Sequence, residues 1–251
     1  GQKLAALPNG RLAIEKITEA DVASKAGKGR VTLYAITGFG IEPSYLWLRS
    51  GAGGGNRLFA VVVPSFSLVE EGWEDNCDAL LKIQLEADAA RLKKLAARLS
   101  HRSDVPVVFR NVRWFDAENA VMKGPSDVHV FRGRIAAIFP PNSPLRDAAN
   151  VVDGTGKSLL PGLADLHGHT SAWDAVLQVA GGITTLRDMG GDNVELNRLQ
   201  TRVDLGESIG PHIVLTGFIE GDSPFRASGG FTIKNVDDGK RRFHRHFEDH
   251  R

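Results

Sequence analysis

The 251-residue chain is 42% hydrophobic and 24% charged, a globular balance that makes disorder the wrong default. Lys plus Arg number 31 against 30 Asp plus Glu, and a net charge of +1 gives no general electrostatic case for nucleic acid or an anionic membrane. The single cysteine, Cys77, excludes an intrachain disulfide scaffold, and no apolar run of 18 or more residues predicts a transmembrane helix. No signal peptide is visible, but the chain begins at Gly1 rather than Met, so cytoplasmic and periplasmic or secreted locations both stay open.

Residues 1–104 read as a β-rich lobe with one long helix. Arg30 to Gly38 (RVTLYAITG) alternates imperfectly, and Tyr45 to Leu48 and Leu58 to Val63 are aromatic and β-branched. Between the last two lies Gly51-Ala52-Gly53-Gly54-Gly55. A phosphate-cradling loop would end in Lys-Ser/Thr and open a helix; this run does neither, and a hairpin loop is predicted. Leu81, Leu85, Ala89, Leu92, Ala96 and Leu99 recur at helical spacing and predict a helix over Asp75 to Leu99. Lys93, Lys94 and Arg98 suit the negative end of its dipole. The stripe is too alanine-rich and irregular for a coiled coil, so packing on the β region is expected. Ser100 to Asp104 reads as a linker, and Pro106 closes off helix.

Residues 105–157 predict short strands at Val107 to Phe109, Val112 to Phe115, Val128 to Phe131 and Arg134 to Phe139, with a turn ending Val151-Val152-Asp153-Gly154. Over residues 158–251 the rhythm changes. Leu159 to Leu166, Gly182 to Arg187 and His212 to Phe218 are strand-like; Ser171 to Val179, Val194 to Leu205 and Val236 to His250 are helical. Alternating βα units imply a parallel sheet or a (β/α) barrel.

The sharpest chemical signal is Leu160-Pro161-Gly162-Leu163-Ala164-Asp165-Leu166-His167-Gly168-His169-Thr170. Two histidines two apart on a strand point to one face. At the C-terminal end of a barrel strand that face is the lumen, where such folds keep their sites. Two imidazoles there suit one divalent ion, and Gly168 leaves room for close approach. The plainer reading is a pair of buried, hydrogen-bonded core histidines. Asp188 ends the second strand of this rhythm. It either lines the metal cavity or holds its turn by hydrogen bonds.

On these residues the sequence resembles the amidohydrolase superfamily. Val151-Val152-Asp153-Gly154-Thr155-Gly156-Lys157 is similar to the turn before that family's first barrel strand. Gly181-Gly182-Ile183-Thr184-Thr185-Leu186-Arg187-Asp188-Met189-Gly190-Gly191 resembles its second strand, in the imidazolonepropionase and prolidase-like branches, and Gly210-Pro211-His212-Ile213-Val214-Leu215-Thr216-Gly217 its third. Residues 107–152 resemble the small β-sandwich that precedes the barrel, and residues 1–100 an N-terminal β-rich extension of some bacterial members. The resemblance implies an α/β fold. A β-rich lobe and a small β-sandwich would lead into an incomplete (β/α)8 TIM-type barrel, with the first three βα units present. It implies a divalent metal, zinc, as one or two ions, with His167 and His169 as the first ligands. The family's later ligands are a carboxylated Lys or a Glu, two His on strands 5 and 6, and an Asp on strand 8 that moves the proton. A complete barrel takes about 250 residues, so these are expected beyond Arg251, in a longer protein of which this is a part.

Lys234, in Phe231-Thr232-Ile233-Lys234, resembles the bridging lysine, but Asn235-Val236-Asp237-Asp238 reads as the start of a helix that should precede that strand. His246-Phe247-Glu248-Asp249-His250 matches no zinc-protease register and reads as a solvated helix end. His101, His129 and His212 have no partner in sequence and read as surface or hydrogen-bonded residues. The expected activity is metal-dependent hydrolysis of C–N bonds in amides, peptides or cyclic imides. Its partners are small-molecule or peptide substrates, and an oligomer is open. The alternative is a non-catalytic chain whose β-rich lobe binds a partner.

Overall fold

A computed structural model describes residues 2–6, 10–51, 53–101, 103–145, 149–226 and 230–241. The chain divides into two compact units, residues 1–97 and 98–251. None of the described helices is long and apolar enough to cross a membrane.

In the first unit, β1 (Gln2–Ala6), β2 (Gly10–Ser24), β3 (Gly27–Thr37), β4 (Ser44–Ser50), β5 (Asn56–Val63) and β6 (Phe66–Val69) pair in chain order as one antiparallel sheet. Such a meander needs only short turns. The glycine run is the β4–β5 hairpin loop: the Gly51 N–H donates to the Gly55 carbonyl at 2.6 Å, and Gly54 sits at φ 81°. The long strand β2 carries Glu15, Lys16, Glu19 and Asp21 on an exposed side, where Arg30 reaches Asp21 at 2.9 Å. Val31, Leu33, Trp47, Phe59 and Val62 form the core with Leu80 of the helix.

A single 3₁₀ turn at Glu74–Asn76 leads into α1 (Cys77–Leu99). The expected helix is present, but its buried row is Leu80, Gln84, Leu92 and Ala96, while Leu85 and Leu99 are half exposed. An apolar count misses this row because two of its members are polar. The Gln84 amide donates to the Val62 carbonyl at 3.1 Å, and Asp88 accepts from the Tyr45 hydroxyl at 2.6 Å. Burial first, then that bond to Asp88, raises the Tyr45 phenol above its ordinary range.

In the second unit, β7 (Val107–Asp116), β8 (Val121–Phe131), β9 (Arg134–Phe139), β10 (Asn150–Asp153) and β11 (Ser158–Leu159) form one sheet of order β10-β7-β8-β9, with β11 on the far half of β7. The segment read as a sandwich is, among the described residues, this single five-stranded sheet. β10 runs parallel to β7, so the connection from β9 must cross from one edge of the sheet to the other. It is pinned on the way: the Ser143 N–H donates to the buried Asp127 carboxylate at 3.1 Å, and Arg110 donates to the Ser143 carbonyl at 2.7 Å.

Next come β12 (Leu163–Gly168), α2 (Ala172–Ala180), β13 (Ile183–Asp188), α3 (Asn193–Asp204) and β14 (His212–Leu215), the strands forming a parallel sheet in chain order. α2 starts at a capping box between Ser171 and Asp174, and α3 at the side chain of Asp192. One sheet face is helix-covered, with Ala175, Leu199 and Ile213 as its centre. The third strand is shorter than expected, ending at Leu215 rather than Phe218. β15 (Ile219–Gly221) and β16 (Phe231–Ile233) pair in parallel, and residues 236–241 are helical. The rest of the helix expected to His250, with His246 and His250, lies outside the described residues.

Candidate metal site at the ends of the parallel strands

β12 delivers both histidines. Leu163 pairs with Ile183 and Gly168 with Asp188, and the register slips once between Asp165 and Gly168. The slip is held by Asp165, whose carboxylate accepts from the His167 N–H at 3.0 Å, and by Arg187, whose Nε donates to the Leu166 carbonyl at 2.7 Å. Gly168 is required at this point. A Cβ there would lie 2.4 Å from Leu186 Cδ1 and 3.1 Å from the Asp165 carboxylate. With Gly168 packed against Leu186, His167 and His169 stand beside each other. Their ring centroids are 5.8 Å apart and their planes cross at 77°. Both rings are exposed, which removes the reading as buried core histidines.

Asp188 sits 1% exposed at the end of β13. One carboxylate oxygen accepts from the Thr170 N–H at 2.9 Å; the other accepts from Gly190 and Gly191 at 3.1 and 2.7 Å. Its carbonyl accepts from the Thr216 hydroxyl at 2.7 Å. Of the two roles open for it in the sequence, these contacts fill the second: it fastens turns. The turn it fastens includes Thr170, directly after His169. The His169 ring lies against Gly190, where an added Cβ would come 3.4 Å from Cε1. This clamp was not read from the sequence, although an Asp followed two and three residues later by Gly-Gly is the pattern of a side-chain-capped turn.

Lys234 is exposed just past β16, its N–H bonded to Asp238, and Asn235 opens the following helix. It is not brought to the histidines. His101 and His212 are exposed, as expected. His129 is half-buried, with a buried Nε2 that makes no hydrogen bond.

No family model matches the chain. An allantoinase of Streptomyces avermitilis is 36% identical over 97 residues, which is 35% of this chain and 21% of the allantoinase. A prolidase complexed with N-methylphosphonate-L-proline aligns with a TM-score of 0.50 at 16% identity, over 58% of this chain and 45% of the prolidase. The bottromycin amidohydrolase aligns with a TM-score of 0.46 at 24% identity, over 61% of this chain and 32% of its own. The chain belongs to the amidohydrolase superfamily. It spans about a fifth of the allantoinase and under half of the prolidase.

For an amidohydrolase the question is whether the residues at the strand ends fit a metal. Zinc binds imidazole nitrogen at about 2.0–2.1 Å, so two rings sharing a tetrahedral ion have centroids roughly 5 Å apart. The observed 5.8 Å is close to that. The pair therefore fits two positions of a coordination shell. Among the described residues no group of three or more His, Cys, Asp or Glu side chains is arranged to hold an ion.

Proposed function

We propose that this amidohydrolase acts in metal-dependent hydrolysis of C–N bonds in amides, peptides or cyclic imides. His167 and His169 are the first two ligands of a divalent ion, zinc. The parallel strands β12 to β14 with α2 and α3 are the opening units of a (β/α)8 barrel. The observation that carries this is the pair of exposed imidazoles side by side at a strand's C-terminal end. The prolidase neighbour's complex with a proline phosphonate makes dipeptides a natural first substrate class.

When bound, such an ion lowers the pKa of its water toward about 7 and polarises the scissile carbonyl. This chain's own residues do the holding. Neutral imidazoles at His167 and His169 donate lone pairs. Asp165 fixes the His167 backbone. Asp188 fixes Thr170 and with it the loop carrying His169. Both Asp188 oxygens are committed to backbone N–H groups, so it is a positioning residue and not the carrier of the leaving group's proton.

Calorimetric zinc titration of the chain tests the assignment. Catalytic zinc sites usually have three protein ligands and a water. Two imidazoles alone are therefore expected to bind weakly, with turnover of dipeptides and cyclic imides near background. His167→Ala with His169→Ala is expected to remove the binding. Zinc uptake unchanged in the double variant would overturn the site.

A further inference from the structure

We propose a second, separate binding site beneath the β9–β10 connection, for a small planar aromatic molecule that carries one neutral hydrogen-bonding group such as a hydroxyl. The connection crosses one face of the β7–β10 sheet and leaves a cavity of about 460 Å³ between itself and the strands. That volume is in the range that encloses small ligands. Pro106, Phe139, Pro144, Leu145 and Ala149 give it an apolar lining, and His129 supplies its polar group. The His129 ring meets Phe139 edge to face at 5.0 Å and 77°, a ready-made aromatic wall. Its Nε2 is buried and makes no hydrogen bond, and a buried polar atom left without a partner is costly.

The surroundings select a neutral partner. Asp127 lies two residues before His129 on the same face of β8, fully buried. The Arg110 guanidinium beside it is engaged by the Ser143 carbonyl at 2.7 Å and by Asp127 itself at 3.6 Å. An anionic ligand would meet a buried carboxylate whose counter-charge is already used. A hydroxyl can serve Nε2 as donor or acceptor without adding charge. The same Asp127 and Arg110 contacts hold the connection in place, so the space is framed by fixed bonds.

The test uses the whole chain with 2-naphthol as probe and 2-naphthoate as its anionic counterpart. Ligand fluorescence gives the affinities, and the imidazole nitrogen shifts of labelled histidine locate the contact. The expected result is saturable 2-naphthol binding that moves the His129 signal and leaves His167 and His169 unmoved. Naphthoate should bind about ten-fold more weakly. His129→Leu should weaken naphthol about five-fold, the loss of one hydrogen bond. Leu145→Trp, which fills the space, should abolish binding. Non-saturable uptake, a silent His129 signal in the unaltered chain, or naphthoate binding as well as naphthol each overturns the proposal. Because the His129 signal is read in the unaltered chain, variants that fail to fold do not rescue it. Movement of the His167 and His169 signals alone would place the probe at the strand ends and overturn it too.

Discussion

In the first unit, Trp47, Phe59, Leu33 and Leu80 are each at most 1% exposed and belong to one cluster. Around the parallel strands of the second unit the corresponding cluster is Ala175, Leu199 and Ile213, while Leu163 and Leu166 on β12 are 60% and 64% exposed. The meander pairs each strand with its chain neighbour and buries a large aromatic centre beneath one helix. The parallel sheet is buried on its helix side, and its other side keeps Arg187 and Val214 open. Parallel sheets ordinarily carry cover on both faces. Packing thus dominates in one region, and in the other side chains are left unpacked where chemistry is proposed.

Substitutions in the two centres give the largest expected effects. Trp47→Ala should cost about 3–5 kcal/mol and Ile213→Ala about 2 kcal/mol, because the smaller cluster surrenders fewer contacts. Urea midpoints with fluorescence and circular dichroism measure both. Equal losses would erase the contrast between the regions. Asp188→Ala should come next, at about 1–3 kcal/mol for three backbone donors left without their acceptor. It should also weaken zinc roughly ten-fold, the usual effect of removing a group that orients a ligand. A stability loss with zinc affinity untouched would separate the clamp from the histidines. The smallest effect belongs to Asp116, where the bonds from Lys123, then Asn119, lower the carboxyl to about 2. Its folded value is depressed from 3.8, so its contribution is present above about pH 4 and fades as the pH falls through 2. An NMR titration of that side chain, against Asp116→Asn for the stability slope, checks the window. An ordinary carboxyl titration would remove the hairpin's share.

How much of this was legible in sequence depends on whether polar residues take part. The Gly51 to Gly55 hairpin and the βα rhythm after residue 158 could be read because apolar spacing and glycine alone specify them. The strand Gly10–Ser24 could not be read to its full length. Its charges serve cross-strand ion pairs, and a register shift between Lys16 and Thr18 breaks the alternation. β8 begins at Val121 rather than Val128, and Gly124-Pro125 inside it disguised the strand. The buried row of α1 was displaced by one residue because Gln84 and Asp88 were counted as polar surface. At the candidate site the paired histidines were visible from their spacing. The Asp188 clamp depends on backbone N–H groups brought from three places, which no spacing reveals.

That clamp has a consequence for how this region can change over time. Thr170, Gly190, Gly191 and Thr216 come from the loops that follow three successive strands, and all four bond to one residue. Loops at strand ends are ordinarily the parts of a βα fold that vary independently. Here an insertion or deletion in any of the three is transmitted to the other two through Asp188, so the trio is constrained to diversify together. New specificity is more accessible from chain segments not anchored to that carboxylate.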